Sequence, residues 1–431
     1  MNPSHRIGLI SSLLSLALLP GCGPKTAAID PAPAGPDYSR QLAPGSSALR
    51  LVLDPARVPV AQAWRNGDAF LYDALDESLI WFAAPSSRQF YPIEGITHEQ
   101  ARASLVAFQE LLDNSLSEED FITEFHQLFD IYESVGYDGR GTVLFTGYYA
   151  GEFPASLEET GRFRYPLYQR PADLATDPTT GHPLGRRTAD GSVVPYYTRR
   201  EIESSNMFAG SELVWLEDPL SVYIIHINGS AKLRLPDGSL MFVGYGGKTD
   251  RPYGSLGKAI IDAGLLTRDK MSLAGIKKLY QRQPERIAEL IYTNENYVFF
   301  TEYEGDKWPS GSLGVKVTQE TSLATDKQIY PRGGLVLADT QAVTFSSGTR
   351  RFTRFMFDQD TGGAIEAPGR ADIYMGDGNS AEILAGGQYA EGKLFYFFLK
   401  PRHVAQYSPD PAPGAGTAPH PVLSNVLPDR H

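Results

Sequence analysis

Asp360-Thr361-Gly362-Gly363-Ala364-Ile365, followed by Asp372-Ile373-Tyr374-Met375-Gly376, is the stretch on which the reading of this chain turns. Two aspartates stand here in short strand-like runs flanked by glycine. A third, Asp326, follows Thr325 just upstream of Ile329-Tyr330-Pro331-Arg332-Gly333. An aspartate beside glycine is ordinarily a turn former whose carboxylate bonds nearby backbone amides, and each of the three taken alone reads that way. Asp360-Thr361-Gly362 also matches the triad of aspartic proteases. That chemistry needs two carboxylates sharing one proton, hence two triads; only one occurs, and Gly363 follows it.

Working outward, short runs of Val, Ile, Tyr and Phe broken by Gly, Pro and Asp predict strands over 143–149, 222–227, 297–301 and 393–399. Turn signals such as Asp190-Gly191 and Pro236-Asp237-Gly238 recur between them. Thr97 to Gln100 fits a capping box ahead of Leu105, Phe108, Leu111 and Leu112 at helical spacing. Ser117 starts a second helix carrying Phe121, Phe125, Leu128, Phe129 and Tyr132. A third is expected over 270–291, interrupted near Pro284. The fold class is mainly β with a few helices.

The 431 residues include 51 acidic and 39 basic side chains, a net charge of −12 at pH 7. That balance argues against a nucleic-acid partner, which needs a basic face to replace phosphate counterions. It leaves room for a polar polymer bound by hydrogen bonds and aromatic faces, and 23 Tyr and 21 Phe supply such faces. Gly246-Gly247-Lys248-Thr249 resembles the end of a phosphate loop, but Phe242 stands where that pattern needs glycine. The eight histidines show no metal-ligand spacing and no Gly-x-Ser-x-Gly elbow is present, so no metal is expected.

Other segments extend the aspartate pattern. Thr146-Gly147-Tyr148-Tyr149, Tyr165-Pro166-Leu167-Tyr168, Asn228-Gly229-Ser230, Tyr245-Gly246-Gly247-Lys248, Tyr253 with Ser255-Leu256-Gly257-Lys258, and Tyr297-Val298-Phe299-Phe300 come in this order. Together with the run from Asp360 to Gly376, they resemble the membrane-bound lytic murein transglycosylase A family over about residues 140–402. Asp326, Asp360 and Asp372 are similar to the three aspartates for which the 3D domain is named. The resemblance implies a double-psi β-barrel domain with helices from residues 48–150 and 302–402. A second β-barrel domain, 151–301, would be inserted into it, with a glycan groove between the two. There are departures: Asn228-Gly229-Ser230-Ala231 stands where the family has Gln-Gly-Ser-Gly, Ala150 and Gly151 follow the Thr-Gly-Tyr-Tyr segment where it has proline, and Asp360 to Asp372 is one residue longer.

Ordinary glycosidases use two carboxylates; the resemblance implies a single one, Asp372. It would protonate the oxygen between N-acetylmuramic acid and N-acetylglucosamine of peptidoglycan. It would then take the proton of the muramyl C6 hydroxyl as that oxygen attacks C1 and closes a 1,6-anhydro ring, an intramolecular attack favoured by proximity. Asp360 and Asp326 are assigned supporting roles, with the turn-forming reading open beside them. Thr146, Tyr148, Tyr149, Asn228, Ser230, Tyr245, Lys248 and Tyr253 are the expected substrate contacts, and for the tyrosines core packing is the rival reading. No cofactor is implied. Two alternatives stand against this one: a hydrolase on the same barrel, and a peptidoglycan-binding envelope lipoprotein without activity.

At the N-terminus, Arg6 and the apolar run 7–19 have the proportions of a signal peptide, too short to span a bilayer. Leu19-Pro20-Gly21-Cys22 resembles a lipobox, which would make 1–21 a signal peptide and Cys22 the lipidated residue. Gly23 in the next position implies the periplasmic face of the outer membrane. Residues 22–47 read as a flexible tether and 403–431 as a disordered tail. Glycan strands, the membrane through the lipid, and a murein synthase complex are the expected partners.

Overall fold

The structure, a computed structural model, describes residues 35–408 apart from 179, 180, 268, 269, 347 and 364. Cys22 and the signal peptide lie outside the described residues. Chain order runs β1 (Leu49–Leu51), α1 (Val60–Arg65), α2 (Ala69–Ala83), α3 (His98–Asn114), α4 (Glu118–Leu128), β2 (Phe129–Ser134) and the long strand β3 (Val143–Ser156). Next come β4 (Tyr165–Tyr168), β5 (Leu174–Thr176), β6 (Pro183–Arg187), β7 (Val193–Val194), α5 (Arg199–Glu203), β8 (Glu212–Leu216) and α6 (Pro219–Asn228). They are followed by β9 (Ser230–Arg234), β10 (Leu240–Lys248), α7 (Leu256–Asp262), α8 (Leu273–Arg282), α9 (Pro284–Ile291) and β11 (Val298–Tyr303). The chain closes with β12 (Ser322–Ala324), β13 (Leu335–Val343), β14 (Thr349–Asp360), β15 (Arg370–Asp377), α10 (Gly378–Gly387) and β16 (Tyr389–Leu399).

Mainly β with helices is thus the observed class. Strand pairing runs β3–β15–β12–β14–β13–β16, and β16 pairs back to β3. The far half of β3 leaves this set: Gly151–Pro154 runs parallel to β9, and Ala155 and Ser156 pair with β8. One strand therefore belongs to both halves of the fold. Helices α3 and α4 start where their caps predict, with Thr97 and Ser117 hydroxyls accepting from the amides of Gln100 and Asp120. Their apolar faces bring Phe108 and Phe125 against Phe355 of β14 and Phe397 of β16, with ring centroids 5.0–5.6 Å apart. Burying each such ring stabilises the fold by roughly 1.5–3 kcal/mol. The third expected helix is α8 and α9, parted at Gln283.

Three expectations need correction. Residues 222–227 are not a strand but lie in α6. A short β-branched run cannot be told from a buried helix by periodicity, and here the ends decide. Asp218 caps the amide of Ser221, Pro219 opens the first turn, and Gly229 closes the helix at φ +72°. Residues 37–47 are no free tether. Tyr38 donates to Glu391 at 2.8 Å and packs edge-on against Tyr137, while the Gln41 amide donates to the carbonyl of Glu366. Nor is the chain disordered from 403: Pro401–Gln406 forms a 3-10 turn, and Tyr407 is buried in the core.

Candidate active site

Strand register brings distant segments to one level. Asp360 is paired with Ala324, Ala324 with Asp372, Asp372 with Thr146, and Thr146 with Tyr389. Directly paired residues share a face of the sheet, so these five side chains form one row across β14, β12, β15, β3 and β16. The Thr146 hydroxyl donates to the Asp372 carboxylate, and Arg370 reaches the same carboxylate from two positions earlier in β15, Nε to Oδ1 at 3.2 Å. The Asp372 side chain is 14 % exposed, open enough to be approached. Gly147 points the other way, against α10: a Cβ there would stand 2.8 Å from the Ala385 Cα.

Asp360 ends β14, with its Oδ1 accepting from the amides of Ser312 and Thr361, both at 2.8 Å. Enclosure by protein raises its carboxyl above the usual range even though part of its surface is open, and those two amides only partly offset this. A small pocket adjoins it, lined by Tyr148, Asn228, Ser230, Ser310, Asp360 and Tyr374 among others. The Asn228 amide nitrogen is buried without a hydrogen-bonding partner among the described residues. The Tyr148 hydroxyl lies beside the Asp360 carboxylate, where a side-chain hydrogen bond from it lowers the Asp360 carboxyl and raises the phenol. Burial first, then Asp360, pushes the phenol well above its ordinary 10. Unpaired buried polar atoms are costly, so the Asn228 amide beside this pocket is a group that a polar ligand would satisfy.

Thr146, Tyr148, Asn228, Ser230, Asp360 and Asp372 are thus brought together. Tyr149 also lines the pocket, with its hydroxyl donating to Glu382 at 3.1 Å. Tyr253 is 42 % exposed; burial raises its phenol, while Tyr223 and Arg370 act in the opposite sense, which sets it in the neighbourhood of Arg370. Tyr245 lies elsewhere, in an open pocket of about 630 Å³ with Arg170 and Glu302, and Lys248 lines neither pocket. Asp326 closes a turn, its Oδ1 accepting from the Gln328 amide at 2.9 Å and its carbonyl from Tyr330 at 3.0 Å. Sequence reasoning missed Arg370 and Tyr374. The signal was available: alternation in Arg370-Ala371-Asp372-Ile373-Tyr374 puts all three polar side chains on one face.

The rest of the neighbourhood is a buried network. Lys327 pairs with Asp358, which also accepts from the hydroxyls of Thr325 and Tyr396. Among the described residues no cluster of His, Cys, Asp or Glu is arranged to hold a metal ion, and no helix is long and apolar enough to cross a membrane.

Residues 144–301 match the family model of the MltA specific insert domain, and residues 321–398 match the 3D domain. The chain is 30 % identical over 285 residues to the membrane-bound lytic murein transglycosylase A of Vibrio cholerae, covering 65 % of this chain and 70 % of that one. Its fold is similar to the crystal structure of a membrane-bound lytic murein transglycosylase from Agrobacterium tumefaciens. The TM-score is 0.68 at 22 % identity, over 84 % of this chain and 99 % of that one. A structure of E. coli MltA with bound chitohexaose gives 0.63 at 23 % identity, over 85 % and 97 %.

Proposed function

Since the chain belongs to the membrane-bound lytic murein transglycosylase A family, we propose that it cuts the β-1,4 bond between N-acetylmuramic acid and N-acetylglucosamine in peptidoglycan, leaving a 1,6-anhydromuramyl end. It is an enzyme of the peptidoglycan-cleaving lyase kind. The observation that carries the reading is the Asp372 carboxylate gripped by Thr146 and Arg370, near a pocket where the buried Asn228 amide lacks a partner among the described residues.

Asp372 gives its proton to the glycosidic oxygen as the C1–O bond breaks. The carboxylate so formed takes the proton of the muramyl C6 hydroxyl while that oxygen bonds to C1, so no water enters and the acid is regenerated. Arg370 stabilises the anion between the two proton transfers, and charge fixed in advance where charge develops is worth most. Thr146 holds the carboxylate in line. Asp360 from the row, Tyr148 from β3 two residues past Thr146, and Asn228 and Ser230 from the inserted half around α6 and β9 bind sugar polar groups in the adjoining pocket. Asp326 acts by closing its turn. Attachment through a lipid on Cys22 would set the enzyme at the periplasmic face of the outer membrane.

Purified sacculi test this. Asp372→Asn is expected to bind strands and leave them uncut; full cleavage by that variant overturns the assignment. Mass spectrometry of the wild-type digest separates transfer from hydrolysis, because an anhydro end is one water lighter than a reducing end.

A further inference from the structure

Tyr389 stands at the far end of the row from Asp360 and has no part in the chemistry above. It is 68 % exposed, among the most open of the large apolar or aromatic side chains. Its Cα partner is Thr146, the residue that holds Asp372. Two strand spacings separate β15 from β16 through β3, so Tyr389 sits ~10 Å along the same face from Asp372.

An exposed tyrosine is ordinarily unremarked surface, but this one has a ring set against it that is itself held in place. Tyr38 meets it edge-on with ring centroids 6.4 Å apart and meets Tyr137 at 5.0 Å. The Tyr38 hydroxyl donates to Glu391, two residues along β16 and on the same face as Tyr389. The Tyr38 backbone is closely packed as well: a Cβ on Gly369 would stand 2.7 Å from its carbonyl oxygen. Tyr38 therefore restricts the Tyr389 ring before any ligand arrives, which lowers the cost of ordering it on binding.

We propose that Tyr389, braced by Tyr38, is a stacking platform for a sugar of the bound glycan strand, beyond the ring on which Asp372 acts. The occupant follows from continuity: a linear polymer laid across Asp372 along this row passes over β3 and meets the tyrosine next. Pyranose rings present C–H faces that match an aromatic face. The proposal rests on the glycan-cleaving reading for its ligand but not on the proton transfers. It also makes residues 37–42 part of the substrate site.

Binding is measured with soluble glycan strands of graded length, using full-length Asp372→Asn so that strands stay whole. Adding Tyr389→Ala should weaken binding of long strands roughly five- to tenfold, while Tyr389→Phe restores it. Strands too short to reach from Asp372 to Tyr389 should not distinguish the variants. Tyr38→Ala should weaken long strands in the same way by freeing the ring. Unchanged affinity in Tyr389→Ala overturns the proposal. So does an equal loss in Tyr389→Phe, or a loss that comes with a lowered melting temperature. If wild-type protein leaves strands uncut while Tyr389→Ala still weakens binding, the catalytic reading falls and the platform stands.

Discussion

Replacing Lys327 by methionine is expected to unsettle the site without touching it. The Lys327 and Asp358 side chains are 4 % and 0 % exposed. Their ion pair joins the turn after β12 to β14, two residues before Asp360. Methionine fills much the same volume but leaves the Asp358 carboxylate with only the hydroxyls of Thr325 and Tyr396. Removing one partner of a buried pair costs about 3–5 kcal/mol. For an ordered unit of this length the unfolding entropy is about 0.8 kcal/mol per degree, so the melting temperature should fall by about 4–6 °C. Asp358→Asn should cost less. Burial already pulls the Lys327 ammonium below its ordinary 10.5 against the pull of Asp358, so without its partner it can shed the proton. A depressed folded value means stability is kept above the unfolded value and lost as pH falls, so the Asp358→Asn deficit should deepen toward acid. The double variant should recover most of the Lys327→Met loss. Calorimetry of the four proteins forms the cycle. A Lys327→Met protein melting within a degree of wild type, or strictly additive losses in the double, would refute the argument.

Two further outcomes follow. Thr146→Val keeps the shape and removes the donor to Asp372; kcat on sacculi should fall roughly 100-fold with KM little changed, and Thr146→Ser should restore it. A fall in KM alone would contradict that. Glu133 is fully buried. Burial by itself would raise its carboxyl, but Arg57 and Arg50 outweigh this and hold it below 4.5. A depressed folded value gives stability that is present above 4.5 and lost as pH falls through the folded value. Urea midpoints from pH ~7 to ~3 should therefore drop more steeply in wild type than in Glu133→Gln; parallel curves would show that the pair contributes nothing to acid sensitivity.

The sequence carried the fold where local chemistry and pattern agree. Capped helices α3 and α4 and the apolar run of β16 could be read outright, because their ends and periods are set by neighbouring residues. Val222 to Ile227 could not, since the same run suits a strand, and only Asp218-Pro219 and Gly229 tip it to a helix. Asp372 and Thr146 were legible as motifs, but their contact depends on parallel pairing of strands more than 200 residues apart in number, which no local signal encodes. The packing of Tyr38 was hidden for the opposite reason: residues 37–47 have a tether's composition, and their order comes from surfaces made by β16 and the turn before β15.

The shape of the pocket is set less by loops than by one strand. β3 carries Thr146 and Tyr148 toward β15 in its first half and pairs with β9, just beyond Asn228, in its second. The pairing with β15 slips between Tyr374 and Asp377, where Gly376 takes φ +104° and lies against Gln319. A side chain there would meet both strain and a clash, so the slip is built in. Across it, Lys277 pairs with Glu382 at 2.6 Å and Lys232 with Asp377 at 3.3 Å. The two sides of the pocket are therefore joined by a continuous strand and two ion pairs. Widening it for a bulky strand must bend β3 near Ala150 and Gly151, where its pairing passes from β15 to β9. That places control of substrate fit in the strand itself, beside Asp372.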